Sequence, residues 1–339
     1  MSWGTVTLAD EPLELLVAFA AWHRKVGAAE IHIYLDRPIQ PAAEVLAAMP
    51  GVVVTPCDAA FWAAQGDRPF LQTRRQEIVA NLAYRASAVD WLAHIDADEF
   101  IMPEPGFAAE LAAIPEVIAG TTLPVMERVW EAAQPPKTLF DGYFRVPIPG
   151  RHTLNRHFNG KAARFLFQGF ASHTAGKTLV RTGREIGMGI HKPVEHKSLS
   201  LMKTQCARLL HFDGLTPFHW LIKRLKYAAL PHAEKRMDGK NTRWAQMEEL
   251  SNCASLAEAE AFQRLLTTLP EDDIARLTAL RLLEAVPDFS PAAALQEIAP
   301  GAEVDFSVAQ FDAQIAHRDR AFLDALSLAP DHETETRES

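Results

Sequence analysis

The chain has 339 residues, 48% hydrophobic and 23% charged, which is ordinary for a globular protein of one or two domains. Its net charge of −9 argues against general nucleic-acid binding, and three scattered cysteines argue against a disulfide framework or a paired-cysteine metal site. The first residues lack a secretory-signal pattern, and no apolar run is long enough to span a membrane, so we expect a cytoplasmic protein.

The first hundred residues alternate between strand and helix patterns. In chain order they predict a strand at 5–8, a helix at 13–26, a strand at 31–35, a short helix at 45–49, a strand at 52–55, a helix at 70–87 and a strand at 91–95. Such alternation predicts an α/β fold with a mostly parallel sheet sandwiched by helices. The strand at 91–95 is apolar on both sides and should be central.

The pattern changes after residue 120. Short extended pieces at 122–126, 143–146 and 177–181 alternate with loops rich in proline and glycine, and a helix follows at 218–230. Beyond residue 254 the chain turns helical and alanine-rich. We therefore expect one domain over residues 1–230, divided near residue 120, and a helical C-terminal extension over 231–339.

The strand at 91–95 ends in two aspartates, Asp96 and Asp98, followed by Glu99. Carboxylates this close repel one another unless a cation neutralises them, and ligands of open α/β sheets bind at the carboxyl ends of strands. Aspartate oxygens suit Mg²⁺ or Mn²⁺ that also holds a substrate phosphate. The alternative is an acidic turn, or a cap on a following helix.

These residues resemble a known family. Segment 91–100, WLAHIDADEF, resembles the D-x-D-E-F signature of family-2-like glycosyltransferases with the GT-A fold, and similar segments follow the family's order at 19–36, 176–191 and 210–223. The resemblance covers about residues 5–230. It implies sugar transfer, with inversion, from a nucleotide-sugar donor to a glycan, lipid-linked or other hydroxyl acceptor. Residues 1–120 would bind the nucleotide and 121–230 the acceptor.

The resemblance also implies roles for residues near the strand ends. Asp96 and Asp98 would hold a Mn²⁺ or Mg²⁺ ion on the donor diphosphate, and Asp96 could instead reach the ribose. His191, after a glycine-rich loop, is the expected third ligand, although a structural role is the alternative. His211 competes with it for the metal or acts near the acceptor.

Further polar residues are expected around the donor. Asp10 and Asp36 follow the first two strands and would lie near the base and ribose, although Asp10 could instead cap the next helix. Gln76 would face the nucleotide from the helix at 70–87. The other candidates are Arg75 and Asn81 on that helix, and Lys177, Arg181, Lys223 and Arg224 for the diphosphate or an anionic acceptor.

The resemblance does not fix the general base. An acceptor hydroxyl needs a base within hydrogen-bonding reach, and the acidic pair usual in the family is missing here. The candidates are the carboxylates of Asp213, Glu195 and Glu131 and the imidazole of His211.

Two other functions and one partner stay open. A D-x-D after a strand also occurs in haloacid-dehalogenase-like phosphohydrolases, but those need threonine or valine soon after the second aspartate, whereas Glu99 follows here. A nucleotide-sugar-binding protein without catalysis fits too, because the base is unassigned. The aromatic and basic segment 219–227 predicts either peripheral contact with an anionic membrane or a core helix with solvated lysines.

Overall fold

A computed structural model describes residues 1–37, 40–150, 153–194, 197–229 and 242–327. The strands in these ranges are β1 (Trp3–Ala9), β2 (Glu30–Leu35), β3 (Val52–Pro56), β4 (Trp91–His94), β5 (Glu99–Pro103), β6 (Gly120–Leu123), β7 (Val125–Glu131), β8 (Tyr143–Arg145), β9 (Lys177–Arg181), β10 (Leu201–Lys203), β11 (Ala207–His211), β12 (Thr268–Leu269) and β13 (Leu283–Glu284). The helices are α1 (Leu13–Lys25), α2 (Gln40–Ala47), α3 (Ala59–Ala64), α4 (Gln72–Ala86), α5 (Phe107–Ala113), α6 (Thr153–Asn159), α7 (Pro217–Ala228), α8 (Thr242–Ser251), α9 (Leu256–Thr267), α10 (Glu271–Ala279), α11 (Pro291–Ile298), α12 (Val308–Arg318) and α13 (Arg320–Ser327).

The predicted mostly parallel sheet is confirmed. Its strand order is β10-β6-β9-β4-β1-β2-β3, and β4, β1, β2 and β3 run parallel, while β9 is antiparallel to both of its neighbours. Strand β4 is central and fully buried, as its apolar sequence predicted. In the register, Val6 of β1 lies beside both His32 of β2 and His94 of β4, so the carboxyl ends of these strands meet at one edge.

A second sheet begins directly after the two aspartates. Its order is β13-β8-β7-β11-β5, with β12 added on β7. The chain crosses from the first sheet to the second through the turn that holds Asp96 and Asp98. Because β5 and β11 are antiparallel, Glu99 lies opposite His211 in the ladder.

Helix α1 fixes the position of β5 and thereby of this turn. The Trp22 indole donates to the carbonyl of Ile101 over 2.8 Å, and the amide of Ile101 donates to Nε2 of His23 over 3.1 Å. Burial lowers the pKa of His23 to about 3, so its imidazole is neutral at pH 7 and can accept this bond. Two side chains of one helix therefore hold both backbone groups of a single β5 residue.

The C-terminal helices belong to the main core. Leu295 of α11 and Phe311 and Ile315 of α12 are buried in the same apolar cluster as Phe19 of α1. The division at residue 230 stays a prediction. Among the described residues, no helix combines the length and the apolar character needed to cross a bilayer.

The observed elements differ from the predicted ones in a few places. The extended piece at 122–126 is two strands, β6 and β7, interrupted at Pro124, whose nitrogen cannot donate to a ladder. Strand β5 and helices α3 and α6 lack a clear pattern in the sequence. The helix expected at 45–49 begins earlier, at Gln40.

Candidate active site

The two aspartates lie at the carboxyl end of the central strand β4, where the first sheet gives way to the second. The Glu99 amide donates to the carbonyl of Asp96 over 3.0 Å and closes the turn. The Asp96 side chain is 34% exposed, while that of Asp98 is 8% exposed. A buried strand therefore presents two carboxylates at the edge where the strands β1, β2 and β4 end.

Lys177 neutralises the Asp96 side of the turn. It begins β9, next to the end of β4, and its fully buried ammonium lies 2.8 Å from Oδ2 of Asp96 and 3.3 Å from Oε2 of Glu99. Burial disfavours the charge on Lys177, but the two carboxylates outweigh it and raise its pKa. Desolvation also acts to raise the pKa of Asp96, but Lys177 outweighs it and lowers that pKa below its ordinary value. For Glu99, burial prevails and raises the pKa to about 7.

Asp96 is held from two further directions. The Gln76 amide donates to its Oδ1 over 2.5 Å, and its own backbone amide donates to Oε2 of Glu99 over 2.8 Å. Gln76 therefore lies beside Asp96, and its expected contact with the nucleotide stays a prediction. Glu99 turns inward, and its side chain is 1% exposed. Asp96 is therefore rigidly oriented toward the edge of the sheet.

Asp98 has a different cationic partner. Nζ of Lys223, on helix α7, lies 2.5 Å from Oδ2 of Asp98. Burial acts against the charged ammonium, yet Asp98 raises the pKa of Lys223 above its ordinary value. The carbonyl of Asp98 accepts from the amide of Phe212 over 2.9 Å, which ties the turn to the end of β11.

A row of histidines lies near Asp96. The ring of His173 lies 4.4 Å from that of His191, edge to face, and 5.9 Å from that of His211, stacked. Burial lowers the pKa of His173 to about 4 and that of His191 to about 3, so both are neutral at pH 7. Their Nδ1 atoms are buried and have no hydrogen-bond partner among the described residues. His173 was not singled out from the sequence, because nothing local distinguishes it from the other histidines.

The glycine-rich loop before His191 is anchored from both sides. Asn81 of α4 donates to the carbonyl of Met188 over 2.9 Å and accepts from its amide over 2.8 Å. The carbonyl of His191 accepts from Thr178 over 2.9 Å. Asn81 therefore positions this loop, which differs from the nucleotide contact expected for it.

His211 is held by a polar chain that the sequence did not reveal. Oγ of Ser172 lies 3.1 Å from Nδ1 of His211 and also hydrogen-bonds to Glu127. Glu127 accepts as well from the amides of Ala171 and Ser172, at 2.6 and 2.7 Å. Burial raises the pKa of Glu127. The available signal was the pair of charged residues Glu127 and Arg128 between the apolar residues of strand β7.

The described residues contain no group of three His, Cys, Asp or Glu side chains placed to hold a metal ion. Among the predicted ligands Asp96, Asp98 and His191, a lysine lies on each of the two aspartates. Their chemistry still fits a divalent ion, since carboxylate oxygens and neutral imidazoles with unpartnered nitrogens are its usual ligands. The metal site stays a prediction.

Asp10 and Asp36, which are expected near the nucleobase and ribose of the donor, are paired with arginines. The buried Asp36 carboxylate meets Arg75 at 2.8 Å and Arg68 at 3.0 Å. Asp10 meets Arg37 at 3.2 Å, and burial raises its pKa. Asp10 does not cap α1, because Pro12 occupies the N-cap position without a side-chain hydrogen bond.

The three carboxylates expected as the general base differ in their surroundings. Asp213 is buried between Arg224 and Arg243, and although burial opposes it, the two guanidiniums lower the pKa of Asp213 well below its ordinary value. A carboxylate held in this way accepts a proton poorly. Glu131 ends β7 and accepts from Gln134. Glu195 lies outside the described residues.

Two other predictions need correction. Arg181 ends β9 beside Trp91, at the opposite edge of the sheet from the aspartates, so it cannot reach a diphosphate there. Helix α7 buries Trp220, Leu221 and Ile222, which leaves these apolar residues inside the protein rather than available to a membrane. The structure supports a core helix for this segment, but its lysines, Lys223 and Lys226, are paired with Asp98 and Asp319 rather than solvated.

Comparison with known proteins gives only distant likenesses. No protein-family model matches the chain, and no curated protein matches it. Among solved structures, similar ones include GalNAc-T7 with UDP, GalNAc and Mn²⁺ (12% identity, TM-score 0.35, 83% of this chain and 58% of that chain). Others are S. aureus TarS 1–349 (14%, 0.31, 81% and 83%) and the same segment in complex with UDP (13%, 0.31, 74% and 71%). This chain thus spans little more than half of GalNAc-T7, and function is inferred from its own site.

Proposed function

We propose that the chain transfers a sugar from a nucleotide-sugar donor to a hydroxyl acceptor. The observation that carries the proposal is the pair Asp96 and Asp98 at the carboxyl end of the central strand, matched by the ammonium groups of Lys177 and Lys223. Charged groups of both signs at such an edge suit a ligand whose diphosphate is bound together with a cation. The D-x-D-E-F resemblance and the parallel sheet that carries it support the same class of reaction.

The donor's leaving group sets the electrostatic requirement. When the bond between the anomeric carbon and the diphosphate breaks, negative charge grows on the phosphate oxygens and needs positive charge nearby. Asp96 and Asp98 would hold a Mn²⁺ or Mg²⁺ ion, which supplies part of that charge when bound. Lys177 keeps Asp96 ionised, and Gln76 fixes its orientation.

His211 is the base that the geometry favours. If Ser172 donates its hydroxyl hydrogen to Glu127, its oxygen accepts from Nδ1–H of His211, and Nε2 of His211 keeps a free lone pair. In the transfer step the acceptor oxygen attacks the anomeric carbon. The bond between the anomeric carbon and the phosphate oxygen breaks, and its electrons stay on the diphosphate. The proton of the acceptor hydroxyl passes to Nε2 of His211. A single displacement of this kind inverts the anomeric centre.

Substitutions in this polar chain separate the base from its support. We expect His211→Gln to lower the transfer rate about a hundredfold, as loss of a general base does. Ser172→Ala should lower it about tenfold and shift the pH–rate profile, because His211 loses the partner that fixes its tautomer. Thr174→Ala is the matched control in the same loop, because the Thr174 hydroxyl donates a hydrogen bond to Gln168 and takes no part in the chain of Glu127, Ser172 and His211. An unchanged rate and pH profile in His211→Gln would remove His211 from the mechanism.

A thermal-shift screen tests the proposed function directly. We expect at least one of the UDP-, GDP-, CMP- or dTDP-sugars to raise the melting temperature with Mn²⁺ present, because a ligand at a hundred times its Kd stabilises the native state by ~2.7 kcal/mol. Release of nucleotide in the presence of acceptor sugars would then show transfer. Failure of every donor to stabilise the protein, or hydrolysis of small phosphoesters instead, would contradict the proposal.

A further inference from the structure

The two ammonium groups at the aspartates are held very differently. Lys177 is completely buried and contacts two carboxylates, those of Asp96 and Glu99. Lys223 contacts the single carboxylate of Asp98, and its side chain is 29% exposed. Displacement of Lys177 would leave the buried Glu99 and the partly exposed Asp96 without their shared ammonium, whereas Lys223 is partly exposed to solvent and has one carboxylate contact to exchange.

The backbone beneath Lys223 is fixed, so any movement is confined to its side chain. Thr216 caps α7 by accepting from the amide of His219 over 3.0 Å, and the flanking Ile222 and Arg224 are buried. The acidic groups that act on Lys223 are Asp98, Asp213 and Glu11. Asp213 and Glu11 already meet arginines, Arg224 and Arg318 respectively, which leaves Asp98 as the anion that holds Lys223.

A divalent ion and an ammonium cannot share Asp98 favourably, because the two cations repel each other at contact distance. A donor diphosphate, in contrast, attracts an ammonium, and a lysine side chain has a flexible four-carbon stem that can follow it. We propose that Lys223 is an exchangeable counter-ion, which neutralises Asp98 in the free protein and moves to the donor diphosphate when a divalent ion occupies Asp98. The inference rests on the proposed function and adds to it a donor-binding residue and an order of events.

The exchange predicts effects of opposite sign on two ligands. Without the competing ammonium, Lys223→Met should bind Mn²⁺ alone about tenfold more tightly than the unsubstituted protein. With Mn²⁺ saturating, the same variant should bind UDP about tenfold more weakly, because the diphosphate loses a charge-assisted hydrogen bond. Free Mn²⁺ is measured by electron paramagnetic resonance, and UDP binding by calorimetry. GDP is tested in parallel, because the proposed function does not specify the nucleobase of the donor.

A matched control lies one turn along the same helix. Lys226 forms a similar pair, but with Asp319 at 2.6 Å and not with Asp96 or Asp98, so Lys226→Met should leave both affinities unchanged. Lys223→Gln keeps a hydrogen-bond donor without the charge and serves as the second variant if the methionine form unfolds.

The outcomes separate the inference from the proposed function. Weaker or unchanged Mn²⁺ binding in both Lys223 variants, or unchanged nucleotide binding, overturns the exchange while leaving sugar transfer in place. If the unsubstituted protein binds neither UDP nor GDP with Mn²⁺, and no donor stabilises it in the thermal-shift screen, the proposed function falls, and the exchange falls with it. Opposite shifts for the two ligands, absent from the Lys226 control, support the exchange.

Discussion

Replacing Asp98 with asparagine is expected to lower sugar transfer about a thousandfold while the protein stays folded. The side chain keeps its size but loses the negative charge that would hold the divalent ion at the donor diphosphate. The fold should survive, because the carbonyl of Asp98, which accepts from the Phe212 amide, is unaffected by the change. Lys223 loses its partner but can turn toward solvent.

The measurement is the release of nucleotide from the donor found by thermal shift, together with Mn²⁺ affinity and the melting temperature. Asp319→Asn is the matched control, because Asp319 also pairs with a lysine of α7, Lys226, and with Arg318, but is not itself part of the D-x-D pair. We expect Asp319→Asn to cost some stability and to leave the rate unchanged. Intact Mn²⁺ binding and an intact rate in a folded Asp98→Asn variant would show that Asp98 does not serve the donor.

The sequence was sufficient to predict the sheet and the position of the two aspartates. Both depend on local information: apolar periodicity locates β4, and the change from apolar to acidic residues marks its end. Because parallel strands share one carboxyl edge, the placement of Asp96 beside the ends of β1 and β2 followed from the alternation of elements alone.

The partners of those aspartates could not be predicted in the same way. Lys177 reaches Asp96 because β9 inserts antiparallel between β4 and β6, a pairing that no local pattern indicates. The environment of Asp213 could not be predicted for a related reason, since its two arginines come from helices α7 and α8, 11 and 30 residues further along the chain. Electrostatic environment is a property of the tertiary structure, so residue type and spacing alone did not reveal it.

The largest effect on stability is expected from Lys177→Met. The substitution leaves the buried Glu99 and the partly exposed Asp96 without their shared cation. Removal of one partner from a buried ion pair typically costs about 3–5 kcal/mol of unfolding free energy, and solvent screening at Asp96 places the expected loss at the lower end of that range. The carboxyl groups should then have pKa values above those of the unfolded chain. A folded state that binds more protons than the unfolded state gains stability as pH falls, so the loss should be smaller at pH 5 than at pH 8.

Chemical denaturation at both pH values measures this loss, and two further variants identify its origin. Lys177→Met combined with Glu99→Gln removes one of the stranded charges and should recover part of the stability at pH 8. Lys223→Met should cost much less, because its ammonium is partly exposed and serves one carboxylate. An equal loss in both lysine variants, or a loss independent of pH, would mean that Lys177 stabilises the protein through packing, and that Asp96 does not depend on it to stay ionised at the strand end.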